Sequence, residues 1–154
     1  MPLLRIYSAR TNGSMSIEAA LVIPILMLSG LGAVDASNYL LQNHKMESGL
    51  VSAGRYLAKS DNPQSIGIRA KRLAVSGRTD SGVNPVLENW TTNDVTITYL
   101  STNNSQGLYR GGDQILTVKI SSELPYQGFG LLNAVTGGST LRASYEERIV
   151  RSGS

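Results

Sequence analysis

An uncharged apolar run near the N-terminus limits what this chain can fold into. Residues 19–34 contain no Asp, Glu, Lys or Arg, and as a helix they extend over roughly 24 Å at 1.5 Å per residue. A lone membrane span needs about 20 apolar residues, so the run reaches that length only by including Glu18 and Asp35 at its two ends. A carboxylate at the edge of a membrane segment is costly, and it therefore usually has a partner or a function.

The sequence upstream of the run indicates an orientation. Arg5 and Arg10 are the only charged residues before Glu18, and a positively charged flank favours the cytoplasmic side of a membrane. Gly13 lies five residues before Glu18. We therefore expect the segment before the run to lie on the cytoplasmic side.

Small residues in the run are compatible with close helix packing. They recur at intervals of four, as Ser29, Ala33 and Ser37 and as Gly32 and Ala36. Such spacing lets helix backbones approach closely in lipid, although small residues are also frequent in membrane helices generally. Pro24, near the start of the run, removes one helical hydrogen bond and is expected to kink the helix there.

The helical pattern continues beyond the uncharged run. Apolar residues recur every seven positions in one row and fill a neighbouring row, as Tyr39, Met46 and Ala53 and as Leu50 and Leu57. This spacing predicts an amphipathic extension of the same helix. We expect one long helix over residues 14–59, ended by Asp61, Asn62 and Pro63.

A second, short helix is predicted next. Asn62 is a suitable N-cap with Pro63 at the first helical position, and Gly77 ends the apolar pattern. Residues 77–93 are rich in Gly, Ser, Asn, Asp and Thr and are typical of a loop.

Three later segments alternate apolar and polar residues, as strands with one buried face do. They cover residues 95–100, 115–121 and 141–149. The stretch 126–135 is too apolar for a free loop, and we expect it to cover the sheet or to lie near the membrane surface. The predicted fold class is α+β: a long transmembrane helix with an amphipathic extension, then one short helix and an antiparallel sheet of about three strands.

Composition excludes several classes of function. The 154 residues, 41% of them apolar, suit one membrane segment and one small domain. No cysteine is present, which excludes disulfides and thiolate metal sites. The net charge of +3 includes one basic cluster, Arg69, Lys71 and Arg72, without the interleaved aromatic residues of a nucleic-acid platform.

No candidate catalytic or metal site emerges from the sequence. His44, the only histidine, has Asn43, Lys45 and Glu47 around it, which do not form a metal site or a catalytic triad. We therefore expect no enzyme activity, no cofactor, no metal and no nucleic-acid partner.

The N-terminal part of the chain resembles the TadE-like family, pseudopilins of the tight-adherence (Flp-type) pilus machinery. The residues that carry the resemblance are Glu18 five positions after Gly13, the early Pro24 in the apolar run, Asp35 after it, and the sequence Ser52-Ala53-Gly54-Arg55 in the amphipathic extension. Major pilins of this system are much shorter and place tyrosine after the glutamate, whereas Ala19 stands here. The resemblance therefore points to a minor pilin or pseudopilin.

The resemblance implies how such a chain is processed and used. A prepilin peptidase would cut between Gly13 and Ser14, and Glu18 of one subunit would accept the new Ser14 amine of its neighbour during assembly. The protein would be a single-pass protein of the bacterial inner membrane with a cytoplasmic N-terminus, which a pilus could later take up. Its partners would be the prepilin peptidase, other pilin subunits and the pilus assembly machinery, with roles in adhesion and surface attachment.

In this interpretation the chain has three parts. Residues 1–13 are the leader, residues 14–60 are the transmembrane helix with its extension, and residues 61–154 are a periplasmic α+β domain. The membrane helix carries the candidate packing residues Pro24, Ser29, Gly32 and Ala33.

Two alternatives remain open. Val34-Asp35-Ala36 before Ser37 has the small-residue pattern of a signal peptidase site, which would make the chain an exported periplasmic protein. The chain could also be a pseudopilin of another type IV pilus or of a type II secretion system.

Overall fold

The computed structural model describes residues 8–107 and 114–149, in which a long helix precedes a small α+β domain. The elements in chain order are α1 (Ser8–Ala58), α2 (Gly67–Ser76), β1 (Val95–Asn103), β2 (Gln114–Pro125), α3 (Leu131–Thr136) and β3 (Thr140–Arg148). The predicted fold class is confirmed. Residues 1–7 of the predicted leader, with Arg5, lie outside the described residues.

Helix α1 is continuous over 51 residues and runs through Pro24. It begins at Ser8, upstream of the predicted start, and ends at Ala58, one residue before the predicted end. Lys59 and Ser60 close the helix with main-chain bonds back to Arg55 and Leu57. The amphipathic extension is thus part of the same helix as the apolar run.

The C-terminal half of α1 supplies one wall of the domain core. Met46, Leu50, Ala53 and Leu57 are fully buried, at the three- and four-residue spacing that puts side chains on one helix face. They belong to one cluster with residues of α2 and of the sheet, namely Ala70, Ala74, Val118, Ile120 and Leu141. The predicted apolar rows of the extension are therefore confirmed as core.

The three strands form one antiparallel sheet in the order β1-β2-β3. Ile120 on the central strand lies opposite Ile97 on one side and Tyr145 on the other. β1 and β2 extend beyond the predicted limits, to Asn103 and Pro125. Helix α1 packs against β2 and β3, and α2 contacts α1 and β1, so the helices cover one face of the sheet.

The start of α2 differs from the prediction. Asn62 is not its N-cap, because the first helical residue is Gly67 and Ile66 occupies the cap position. The Asn62 side chain instead accepts a hydrogen bond from the Ser65 amide at 3.3 Å, closing a turn. The Gly67 amide bonds to the Gln64 carbonyl at 3.5 Å, so the segment before Gly67 is a turn and not α-helix. The Tyr99 hydroxyl donates to the Pro63 carbonyl at 2.9 Å, which holds this turn against β1. The predicted end at Gly77 is confirmed, with φ of 72°.

The predicted loop between α2 and β1 contains a core residue that its composition did not indicate. Trp90 is buried, and its indole N–H donates to the Ser122 hydroxyl at 2.9 Å. Buried tryptophans usually find such a partner. Trp90 is also the only tryptophan of the chain, so its fluorescence reports on the packing of the core.

Gly54 lets α1 approach β3 closely. A Cβ atom at this position would overlap the ring of Tyr145. Tyr145 lies on β3 opposite Ile120, and its partly buried ring packs against the core cluster. Gly54 is one of the small residues of the Ser52-Ala53-Gly54-Arg55 sequence, and its contact explains why a small residue is needed there.

We predict that Gly54→Ala destabilises the domain by about 1–3 kcal/mol through overpacking. The measurement is urea unfolding of the full chain in detergent, followed by Trp90 fluorescence. Gly67→Ala is the matched control, because a Cβ there meets its nearest atom, the Tyr99 hydroxyl oxygen, at 3.9 Å. Equal stability of the two variants would contradict the close contact with Tyr145.

Candidate membrane and assembly site

The N-terminal half of α1 is exposed along its apolar length. Leu21, Ile25, Leu28 and Val34 are each at least half exposed, and the helix is long and apolar enough to cross a membrane. Its large apolar side chains are not covered by the rest of the described protein. This arrangement is compatible with a single-pass membrane anchor.

The predicted processing and assembly residues lie on this exposed part of the helix. Gly13 and Glu18 are both exposed, while the side chain of Ser14 lies outside the described residues. Ser14 and Glu18 are four positions apart on helix α1, which is about 6 Å along its axis. The structure thus places the predicted cleavage bond and the carboxylate on one continuous helix.

The small residues Ser29, Gly32 and Ala33 give the membrane helix a surface with little side-chain bulk, and the Ser29 hydroxyl is hydrogen-bonded within the helix. The Ser29 hydroxyl donates to the Ile25 carbonyl at 2.8 Å, so this polar side chain is paired within the helix, as a lipid environment requires. A Cβ atom added at Gly32 would meet no other atom within 4 Å, and Ala33 is exposed. These residues therefore remain open to another helix or to lipid.

Asp35 stands apart from these exposed residues because its carboxylate is fully buried. Its side chain has 0% exposure, although it directly follows the exposed Val34. A buried carboxylate is tolerated only when hydrogen-bond donors compensate for the lost water. The environment of Asp35 supplies such donors.

Three donors from the chain that follows β2, the last of them in α3, point at the carboxylate. The Tyr126 hydroxyl lies 2.6 Å from Oδ1, and the Phe129 amide donates to the same oxygen at 3.1 Å. The Leu132 amide donates to Oδ2 at 2.8 Å. Both carboxylate oxygens are thus satisfied, and hydrogen bonds to a charged acceptor are the stronger kind.

Tyr126 is held in place as a donor. Burial, together with the hydrogen bond to Asp35 and the charge of its carboxylate, raises the pKa of Tyr126 to about 12, so the hydroxyl keeps its proton at neutral pH. Its ring makes an edge-on contact with Tyr39, with 5.2 Å between ring centroids. The Tyr39 hydroxyl donates to the Thr140 carbonyl at 3.0 Å, which joins α1 to the start of β3.

Gly128 allows the chain to fold tightly around the carboxylate. A Cβ atom at Gly128 would collide with the Tyr126 hydroxyl and with Oδ1 of Asp35. Any larger residue would therefore push the turn away from α1. Sequence reasoning identified Asp35 as a motif residue but did not find Tyr126 or Gly128, because no local pattern links positions so far apart in the chain.

The arrangement around Asp35 is a structural joint. Its carboxylate accepts from a neutral tyrosine and two amides, and within residues 8–107 and 114–149 no group of three His, Cys, Asp or Glu side chains could hold a metal ion. This joint fixes residues 126–132 to α1 at the point where the uncharged run ends.

Comparison with known proteins identifies the N-terminal helix. No curated protein and no solved structure matches the chain. A family model described as TadE-like protein matches residues 13–57, from the predicted cleavage glycine to the last buried leucine of α1. The resemblance drawn from the sequence is confirmed: residues 13–57 form a TadE-like segment.

Proposed function

We propose that this chain is a membrane-anchored minor pilin or pseudopilin that takes part in assembly of a tight-adherence pilus, and thereby in adhesion and surface attachment. The observation that carries the proposal is the two-part helix α1. Its exposed apolar half continues without a break into a half that forms the core of a folded domain, and both halves lie in the TadE-like segment. The role is structural and includes no catalytic step.

The proposed topology places the N-terminus in the cytoplasm and the α+β domain in the periplasm. Arg10 and Arg5 lie on one side of the uncharged run, and positive residues favour the cytoplasmic side. The folded domain lies on the other side. In this topology the inner membrane surrounds residues 19–34.

Processing would expose a new amine beside the membrane. A prepilin peptidase would cut the bond between Gly13 and Ser14, which lies in a helical segment with weak helix formers, since glycine costs about 1 kcal/mol relative to alanine. The same turn contains Thr11 and Asn12, which also favour helix poorly. Local unwinding of this turn would therefore cost little.

Glu18 would then set the register between subunits. An ammonium group near a low-dielectric boundary is attracted to a carboxylate more strongly than it would be in water. The exposed Glu18 of one subunit would accept the Ser14 amine of its neighbour. This pairing follows the family resemblance and is supported by the exposure of Glu18 on the helix surface.

The hydrogen bonds around Asp35 weigh against the signal-peptide alternative. Cleavage between Ala36 and Ser37 would remove Asp35 from the protein. The buried Tyr126 hydroxyl and the Phe129 and Leu132 amides would then lose their acceptor, and leaving buried donors unpaired is costly. A mature chain that keeps Asp35 avoids this loss.

We predict that the mature protein begins at Ser14. The measurement is N-terminal sequencing and intact mass of the protein from the native membrane. Gly13→Leu is expected to abolish the cut, whereas Gly30→Leu, at a position where a Cβ has open space, leaves it unchanged. A mature start at Ser37 would contradict the proposal and support a signal peptide.

We also predict that Glu18→Gln leaves processing intact and reduces pilus assembly. The substitution removes the charge at nearly constant size, so it tests pairing separately from packing. Sheared pili from strains that carry only the variant chain give the measurement. Glu47→Gln is the control, since Glu47 is an exposed carboxylate on the same helix beyond the uncharged run. Normal pilus yield from the Glu18 variant would refute the pairing.

A further inference from the structure

We propose that residues 127–136, here called the α3 turn, lie in the interfacial layer of the lipid bilayer and dock the domain against the membrane surface. This inference rests on the membrane anchoring proposed above. It adds a second membrane contact, made by a part of the chain far outside the TadE-like segment. The α3 turn would contact the lipid bilayer at the boundary between its headgroups and its acyl chains.

The hydrogen bonds to Asp35 fix the height of the α3 turn. Asp35 directly follows Val34, the last residue of the uncharged run. The Phe129 and Leu132 amides lie 3.1 Å and 2.8 Å from the Asp35 carboxylate oxygens. The backbone of the turn is therefore within one hydrogen bond of the point where α1 leaves the apolar part of the bilayer.

The side chains of the turn suit that location. Phe129 is 72% exposed and Val135 is 87% exposed, and residues 124–141 contain no Asp, Glu, Lys or Arg. Large apolar side chains without nearby charge are found where protein meets the acyl boundary.

The polar groups of the turn are largely paired within the protein, which lowers the cost of placing it at a bilayer. The Asn133 side chain accepts from the Ser139 amide at 2.9 Å, and the Gln42 side chain donates to the Gln127 carbonyl at 3.3 Å. The Ala134 amide bonds to the Gly130 carbonyl at 2.8 Å. Paired backbone and amide groups can approach lipid without losing hydrogen bonds to water.

The absence of cysteine in the chain permits a direct test by single-site labelling. We would prepare Phe129→Cys and Val135→Cys in the full chain, attach a nitroxide to each, and reconstitute the protein in nanodiscs of phosphatidylcholine and phosphatidylglycerol. Electron paramagnetic resonance then compares collision with oxygen, which dissolves in lipid, and with a water-soluble nickel chelate. Both positions are strongly exposed, so the substitutions leave the core intact.

Two further label positions calibrate the measurement. Leu28→Cys lies within the uncharged run and reports whether α1 itself enters the bilayer. Leu100→Cys is an exposed apolar position, 43% exposed, on β1 opposite Thr117. Thr117 is about 26 Å along β2 from Pro125 at 3.3 Å per residue, so the Leu100 label is remote from the α3 turn.

The expected result is that labels at 28, 129 and 135 collide preferentially with oxygen and the label at 100 with the nickel chelate. Nickel preference at 129 and 135, with oxygen preference at 28, overturns the docking while the membrane anchor stands. Nickel preference at 28 overturns both. Spin–spin broadening at 129 that disappears on dilution with unlabelled protein would indicate contact with a second copy, and it would also overturn the proposal.

Discussion

The buried carboxylate of Asp35 is the constraint on which the rest of the structure depends. It lies where an uncharged helix becomes the core helix of a domain, and a charge in that position requires donors. One donor is the Tyr126 hydroxyl. The other two are the amides of Phe129 and Leu132, which follow Asp35 by 94 and 97 residues. The carboxylate therefore fixes both the end of β2 and the start of α3 against α1.

Helix α1 belongs to two environments without a change of secondary structure. Before Asp35 its apolar residues are exposed on all sides, as in Leu21, Val22 and Ile23, and they need lipid or another subunit to cover them. After Asp35 one face of the helix, which includes Leu50 and Leu57, is buried in the domain. A rigid connection between anchor and domain is the physical basis of the proposed role in a pilus, since movement of the helix is transmitted to the domain.

Features that depend on neighbouring residues were predictable from the sequence. The alternation of apolar and polar residues identified the three strands, and the three- and four-residue spacing identified Met46, Leu50, Ala53 and Leu57 as one helix face. The glycine at the end of α2 also followed from local chemistry, because Gly77 adopts a left-handed conformation that favours glycine.

Features that depend on distant contacts were not predictable in this way. The turn before α2 is held by a bond from Tyr99 to the Pro63 carbonyl, and the buried Trp90 pairs with Ser122 on β2. The six-residue helix α3 was not predicted, since its position is set by bonds to Asp35. The family resemblance supplied Asp35 as a motif residue, but only the fold supplies its partner, Tyr126.

A double-mutant cycle between Asp35 and Tyr126 measures directly whether the hydrogen bond between them stabilises the fold. Urea unfolding of the full chain in detergent, followed by Trp90 fluorescence, would compare Asp35→Asn, Tyr126→Phe and the double variant. Asp94→Asn combined with Tyr126→Phe is the control, because Asp94 accepts its hydrogen bonds from Thr91, and these two effects should add. We expect the double variant of Asp35 and Tyr126 to lose clearly less stability than the sum of the single losses. Simple additivity for this pair would contradict the account.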